Sequence, residues 1–187
     1  MPNSISKLIL LALPAAFVPR FSASAAKPLQ WKLLKATLTY HVSTALHQVN
    51  GVSKMAKGKG VCHSGQCSFL AAAPVNSFHS GDTNRDLHMI QSVRGAVYPM
   101  VIVRTQIPEA AIHPGPLRAK LQIQFAGHTV NYNQVAFQLI QQGKNYRLTG
   151  TIPAKLSDFQ IPPPEFLFLK VANPIPVAVN MLWTQTG

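Results

Sequence analysis

The sequence contains few acidic residues: five Asp and Glu stand against 17 Lys and Arg in 187 residues. The few carboxylates form no pattern typical of a paired general acid and base. None of the seven His residues belongs to a His-Glu-x-x-His arrangement, and no serine lies in a nucleophile-elbow pattern. We therefore expect a protein that is not an enzyme, with no catalytic residues and no cofactor.

The sequence also lacks a long apolar run, since no stretch approaches the roughly 20 apolar residues of a transmembrane helix. Residues 1–26 instead read as an export signal, with Lys7 near the start, an apolar stretch from Leu8 to Val18, and the small-residue cleavage site Ala23-Ser24-Ala25. Cleavage at the end of this segment leaves residues 27–187, about 161 residues, as one domain. We expect bacterial export to the periplasm or the exterior; an uncleaved membrane anchor is the alternative.

The mature chain remains strongly basic. Without Lys7 and Arg20, the 17 basic residues fall to 15 against five acidic ones, a net charge of about ten units positive with His neutral. The basic residues are scattered, and no known nucleic-acid-binding motif accompanies them, so we expect no nucleic-acid partner. A transient anionic membrane surface is the partner we predict. A basic surface that only maintains solubility is the alternative.

Cysteine is scarce as well, with Cys62 and Cys67 the two in the chain. They enclose the turn-forming sequence His63-Ser64-Gly65-Gln66, which is typical of a β-hairpin. In an exported protein we expect the two thiols to face each other across the turn and form a disulfide. Free thiols are one alternative. A zinc site with His63 and either His41 or His47 is another, although no second Cys/His pair at ligand spacing supports it.

Helical periodicity is scarce, whereas the two-residue period of β-strands recurs from Trp31 onward. The clearest case is Leu117 to Phe125, in which every odd-numbered residue is apolar and every even-numbered one is Arg, Lys or Gln. One short helix or ordered crossover is predicted at residues 84–91, after N-cap candidates at 80–83. The other predicted strands, roughly eight in all, lie near residues 38–43, 61–70 (the hairpin), 101–107, 135–139, 146–152, 166–171 and 175–183.

Antiparallel strands with one apolar face each hide those faces by closing into a barrel, which also removes exposed edges. An eight-stranded barrel is wide enough to be filled by side chains or to hold one small ligand. The fold prediction is therefore all-β, an antiparallel β-barrel with one short helical crossover. A two-layer sandwich with a solid core is the alternative.

Residues 77–89, Ser-Phe-His-Ser-Gly-Asp-Thr-Asn-Arg-Asp-Leu-His-Met, closely resemble the signature of the YceI-like family. Further segments on both sides of this signature resemble features of the family and occur in the family's order: Leu38-Thr39-Tyr40-His41-Val42, Val49-Asn50-Gly51, Tyr98-Pro99-Met100-Val101, Gly127-His128-Thr129 and the segment 156–162. The resemblance therefore covers about residues 36–183. The resemblance implies a lipocalin-like antiparallel barrel, exported from bacteria, that encloses a polyisoprenoid or an isoprenoid quinone. The family's usual Arg-Phe is replaced by Val-Ser-Lys-Met at residues 52–55.

The combined prediction is an exported carrier of an apolar isoprenoid or fatty lipid held in the barrel lumen. Release of water from the lipid and the lumen would drive binding, at roughly 25 cal/mol per Å² of apolar surface. The residues predicted to line the lumen come from the apolar faces of the strands: Leu38, Tyr40, Val101, Val103, Leu121, Ile123, Phe137 and Val179.

Arg85, Asp86 and His88 form the polar part of the signature. They are predicted either to pin the crossover segment against the barrel or to contact the polar head of the lipid. Because neighbours on a helix point about 100° apart, Arg85 and Asp86 are expected to reach different partners. Two other functions stay open. One is a metal- or haem-handling protein that uses His41, His63 or Cys62, and the other is a solid-core barrel or sandwich for adhesion or assembly.

Overall fold

The computed structural model of the chain describes residues 28–166 and 169–186. The predicted export signal lies outside the described residues. One α-helix is present, α1 (Thr83–Ser92), and short 3-10 helices span Val75–Ser77, Glu109–Ala111 and Leu156–Phe159. The strands are β1 (Gln30–Ser43), β2 (Gln48–Ser53), β3 (Lys57–His63), β4 (Gln66–Pro74), β5 (Met100–Pro108), β6 (Gly115–Phe125), β7 (His128–Gln142), β8 (Asn145–Ile152), β9 (Glu165–Phe166), β10 (Leu169–Lys170) and β11 (Val177–Thr186).

Nine strands form one antiparallel sheet in the order β11-β8-β7-β6-β5-β4-β3-β1-β2. β1 pairs in addition with β11, from Gln30 opposite Thr186 to Tyr40 opposite Val177. The nine strands without β2 therefore close into a ring of eight, while β2 pairs with the C-terminal half of β1. Closure gives both edge strands a hydrogen-bonding partner. The predicted all-β, lipocalin-like antiparallel barrel is confirmed, and the sandwich is not what forms.

The strand pattern predicted from the sequence places the apolar side chains inside the barrel. In β6, Leu117, Ala119, Leu121 and Ile123 are buried, and the residues between them are exposed. The same alternation holds through the C-terminal half of β7 and along much of β11. The interior of the barrel is consequently apolar, and the basic side chains of the strands lie on its outer surface.

Two segments differ from the prediction. Residues 48–53 were not predicted as a strand, yet they form β2. The predicted strand at 166–171 does not join the barrel, because β9 and β10 pair with each other in a separate two-stranded hairpin. The edge of β8 that a further strand would need is already occupied by β11.

The predicted helix forms as α1, with Asp82 as its N-cap. The Asp82 carboxylate accepts a hydrogen bond from the backbone amide of Arg85 at 2.9 Å. α1 lies between β4 and β5, whose ends pair at Pro74 and Met100. We call this end of the barrel the helix end, and the opposite end, at the β3–β4 turn, the hairpin end. Within the described ranges, no helix is long and apolar enough to cross a membrane.

Candidate functional site

The barrel is hollow, with an internal cavity of about 270 Å³. Its wall is built from the inward faces of β1, β4 to β8 and β11, together with Met89 and Val93 from the α1 region. All eight side chains predicted to line the lumen lie in this wall: Leu38, Tyr40, Val101, Val103, Leu121, Ile123, Phe137 and Val179. Their contact with a ligand stays a prediction.

Polar groups in the cavity wall are few, and two of them already have partners. The hydroxyl of Thr105 donates a hydrogen bond to the carbonyl of Lys120 at 2.8 Å. The indole N–H of Trp31 points to Sγ of Cys62 at 3.3 Å. A water molecule inside a protein needs two to four polar partners. The wall therefore suits an apolar occupant far better than a cluster of water molecules.

Four aromatic rings, the aromatic cluster, line the cavity towards the hairpin end: Trp31, Phe69, Tyr146 and Trp183. Ring centroids lie 5.2 Å apart for Trp31 and Tyr146, and 5.4 Å apart for Phe69 and Trp183, both close to edge-to-face. Glycines of β3 make room for two of these rings. A Cβ at Gly60 would lie 2.5 Å from the Phe69 ring, and a Cβ at Gly58 would lie 2.6 Å from Trp183. The predicted lining set does not contain this cluster.

Tyr40 is a polar residue in the wall at the helix end. Its ring is half-buried beside Phe78, with centroids 5.8 Å apart. Burial raises the pKa of the Tyr40 hydroxyl, Asp86 raises it further, and Arg85 opposes the rise. Within residues 28–166 and 169–186, no hydrogen-bond partner of this hydroxyl is found. Asp86 and Arg85 are thus the charged groups that act on this hydroxyl.

Arg85 and Asp86 both bind Ser80, so the expectation that they reach different partners is wrong. Asp86 Oδ1 accepts hydrogen bonds from the amide of Ser80 at 2.9 Å and from its hydroxyl at 2.6 Å. Arg85 Nε donates to the same hydroxyl oxygen at 2.9 Å, and Nη2 donates to the Ser80 carbonyl at 3.0 Å. Gly81, with φ of +85°, turns the chain so that Ser80 lies against the first turn of α1. The two side chains hold the crossover segment together.

The other polar residues of the signature lie nearby. His88 is exposed, and its backbone carbonyl accepts a hydrogen bond from the Ser92 hydroxyl at 2.8 Å. His79 Nδ1 is 3.4 Å from Asp86 Oδ2. Burial alone would raise the pKa of Asp86, but the hydrogen bonds from Ser80 and His79 outweigh burial and lower this pKa below its ordinary value. Asp86 is accordingly a carboxylate at neutral pH.

The predicted disulfide is present. Cys62 and Cys67 are directly opposite each other in the β3–β4 hairpin and are bonded, with both side chains buried. The Glu109 carboxylate lies beside them, with the three candidate ligand atoms within 4.8 Å of one another. A disulfide provides no thiolate for a metal. Among the described residues, these three are the one group of His, Cys, Asp or Glu side chains whose possible ligand atoms lie this close together.

The histidines of the metal alternative do not converge. His41 lies opposite Asn50 near the C-terminal end of β1. His63 lies two residues after Val61, and Val61 is opposite Gln30 at the other end of β1. The twelve residues from Gln30 to His41 span roughly 35 Å of strand. His41 Nδ1 instead makes a hydrogen bond with the side chain of Asn50 at 2.6 Å. The arrangement of His41, His63 and Cys62 at one centre is therefore contradicted.

Neither a protein-family model nor a curated protein matches the sequence. A polyisoprenoid-binding domain from Saccharophagus degradans, described as implicated in plant cell wall breakdown, matches with a TM-score of 0.68 and 13% identity, over 83% of this chain and 98% of that one. BcnA from Burkholderia cenocepacia matches with a TM-score of 0.66 and 15% identity, over 79% and 95%. A Campylobacter jejuni YCEI protein aligns at a TM-score of 0.47, too low to weigh. At these identities the likeness shows the fold alone, which is the lipocalin-like antiparallel barrel that the resemblance at residues 77–89 implies.

Proposed function

We propose that this protein is an exported, non-enzymatic carrier that holds one isoprenoid-type lipid, a polyisoprenoid or an isoprenoid quinone, in the barrel lumen. The observation that carries the proposal is the cavity of about 270 Å³ with an apolar wall inside a closed barrel. The neighbour from Saccharophagus degradans, which is described as polyisoprenoid-binding, supports this class of ligand.

The chemistry of the wall favours a branched hydrocarbon chain over a polar metabolite. Each buried methylene gains about 0.8 kcal/mol, so one five-carbon isoprene unit gains about 4 kcal/mol on entering the lumen. A polar metabolite would lose its hydrogen bonds to water there and find few replacements. Binding of the hydrocarbon tail therefore requires no specific polar contact.

The polar head of the lipid belongs at the helix end. The aromatic cluster occupies the lumen towards the hairpin end, and the half-buried Tyr40 hydroxyl lies at the opposite end without a protein partner among the described residues. A quinone carbonyl or a polyprenol oxygen could accept a hydrogen bond from this hydroxyl. We expect Tyr40→Phe to weaken binding of an isoprenoid quinone by roughly 5- to 10-fold, the loss of about one hydrogen bond, and to leave binding of a pure hydrocarbon unchanged.

The decisive experiment compares the lipid content of three forms of the purified protein by organic extraction and mass spectrometry. Ala71 lies in the cavity wall, and Ala71→Phe would fill part of the lumen. Ala136 is exposed on β7, so Ala136→Phe is a control that adds the same ring outside the barrel. We expect about one isoprenoid lipid per chain in the wild type and in Ala136→Phe, and a large loss in Ala71→Phe.

Two results would overturn the carrier function. One is the absence of any apolar molecule from all three proteins, together with no uptake of an added isoprenoid quinone. The other is equal lipid content in Ala71→Phe and the wild type, which would place the lipid outside the lumen. Recovery of straight-chain fatty acids alone would reject the isoprenoid ligand while retaining the lumen as the binding site.

A further inference from the structure

Four lysines lie together on the outer surface of β1 and β3. Lys32 and Lys59 are directly opposite each other in the β1–β3 pairing. Lys57 is two residues before Lys59 and so lies on the same side of β3. Lys35 lies three residues after Lys32, and the bulge between Leu33 and Lys35 keeps it on the same side of β1 as Lys32. All four lysine side chains are exposed. We call this group the lysine face.

Two exposed apolar side chains interrupt the lysine face. The bulge between Leu33 and Lys35 leaves both Leu34 and Lys35 on the outside of the barrel, and Leu34 is 46% exposed. Val61, two residues after Lys59 on β3, is 43% exposed. Charged and apolar groups thus alternate over a small area. Four charges at strand spacings of about 5 to 10 Å lie within roughly one Debye length of their neighbours.

No carboxylate of the sheet balances these charges. None of the nine strands of the main sheet contains Asp or Glu. Among the described residues, none of the four lysines makes a salt bridge. Like charges directly opposite each other, as at Lys32 and Lys59, destabilise a sheet. The face therefore works against folding stability, and an anionic partner would relieve the repulsion.

We propose that the lysine face is the surface by which the protein docks on an anionic lipid bilayer. The lysines would pair with headgroup phosphates, and Leu34 and Val61 would enter the interface between headgroups and acyl chains. The choice of a bilayer over a soluble polyanion rests on these two apolar side chains and on the proposed function, since a lipid carrier must reach a membrane to exchange its cargo.

The test measures co-sedimentation with phosphatidylcholine vesicles that contain about one third phosphatidylglycerol, at low salt. The test variant combines Lys32→Gln, Lys35→Gln, Lys57→Gln and Lys59→Gln. The matched control removes four cations that lie on β5, on β6 and in the β7–β8 turn, with Arg104→Gln, Arg118→Gln, Lys120→Gln and Lys144→Gln. At about fivefold per lysine, the four substitutions together should lower the partitioning of the test variant roughly 600-fold, and we expect the control to lose less than about fivefold.

A second comparison distinguishes the bilayer from a soluble polyanion, represented by heparin. The pair Leu34→Gln and Val61→Thr keeps every charge, and we expect it to weaken vesicle binding several-fold without changing heparin binding. Equal losses in both quadruple variants would overturn the proposal, because net charge alone would then explain binding. The proposal would also be overturned, in favour of a polyanion partner, by two results together: vesicle binding that is unchanged in the Leu34→Gln, Val61→Thr variant, and heparin binding as tight as vesicle binding.

The N-terminal segment is the same in every variant, so differences between variants report on the barrel surface. Lipid extraction from the same preparations keeps the two proposals separate. A test variant that retains its lipid but no longer binds vesicles supports the docking face. A wild type that binds vesicles but contains and takes up no lipid would overturn the carrier function and leave the docking face intact.

Discussion

At the scale of single residues, Asp86 illustrates how one carboxylate organises the segment that leads into α1. It accepts two hydrogen bonds from Ser80, and Arg85 binds the same residue from the other side. The sequence indicated that Arg85 and Asp86 are important, because they lie in the signature. The shared partner was not predictable, because it depends on the turn at Gly81, which reverses the chain.

Asp86→Ala is expected to destabilise the protein by about 1–2 kcal/mol at neutral pH, the cost of the two lost hydrogen bonds to a charged acceptor. Because the pKa of Asp86 is lower in the folded protein than in the unfolded chain, this stabilisation is complete above the unfolded value near 4 and is lost as the pH falls through the folded value. Urea denaturation at several pH values measures the difference. His88→Ala, an exposed neighbour on α1, is the control. If the wild type and Asp86→Ala still differed by the same free energy of unfolding at pH values well below 4, the stabilisation would not come from the Asp86 carboxylate.

Gly60 is a second position at which one atom decides the packing. A Cβ there would lie 2.5 Å from the ring of Phe69, so the ring must move. We expect Gly60→Ala to cost about 1–3 kcal/mol, as overpacking of a core does. In a Phe69→Leu background the same substitution should cost clearly less, which a double-mutant cycle by chemical denaturation will show. Equal costs in the two backgrounds would mean that the ring is not the obstacle.

At the scale of elements, β1 shows why the aromatic cluster was missing from the predicted lining. Leu38 and Tyr40 face the lumen, and strict alternation backwards from them would turn Trp31 to the outside. The bulge between Leu33 and Lys35 shifts the phase by one residue, so that Trp31 and Leu33 face inward as well. The consecutive pair Leu33-Leu34 was the signal in the sequence that alternation is broken at this point.

Deleting Leu34 removes the extra residue of the bulge, and we expect it to turn Trp31 outward or to unfold the N-terminal half of β1. In a Trp183→Phe background, the fluorescence of Trp31 should shift to longer wavelength, and the free energy of unfolding should fall by several kcal/mol. Leu34→Ala is the control, because it keeps the bulge and removes only an exposed side chain. A deletion variant with unchanged emission and stability would show that the bulge does not set the phase.

The β3–β4 hairpin is stabilised by its disulfide, so Cys62→Ser with Cys67→Ser should lower the free energy of unfolding. The closed loop is short, and chain entropy predicts a loss of about 2 kcal/mol. Thermal unfolding with and without reductant measures this effect. Reductant should not change the unfolding temperature of the double variant. If complete reduction also left the unfolding temperature of the wild type unchanged, the expected stabilisation by the disulfide would be contradicted.

At the scale of the whole molecule, an apolar ligand in the lumen links lipid binding to folding stability. At a ligand concentration about 100 times the dissociation constant, a ligand that binds only the folded state adds about 2.7 kcal/mol. For a domain of about 150 residues this corresponds to a rise of roughly 5–10 °C in the unfolding temperature. The stabilisation applies only to the protein with an accessible cavity.

We therefore expect removal of bound lipid to lower the unfolding temperature by several degrees, and re-addition of an isoprenoid quinone to restore it. Differential scanning calorimetry of the extracted and reloaded protein tests this. Ala71→Phe is the control, since a filled lumen should respond to neither treatment. A shift of the same size in that variant would assign the effect to lipid on the outer surface.

Local sequence patterns were sufficient to predict α1 and most strands of the barrel, but neither β2 nor the separate hairpin of β9 and β10. Residue alternation predicts the strands, N-capping residues predict α1, and the turn between Cys62 and Cys67 predicts their pairing, because each depends on neighbours along the chain. The tertiary structure decided the pairing of β1 with β11, the inward orientation of Trp31, the juxtaposition of Lys32 and Lys59, and whether the barrel is hollow. These features arise between segments distant in sequence, and the cavity in particular depends on the summed volume of side chains from many strands. No single strand contains that information.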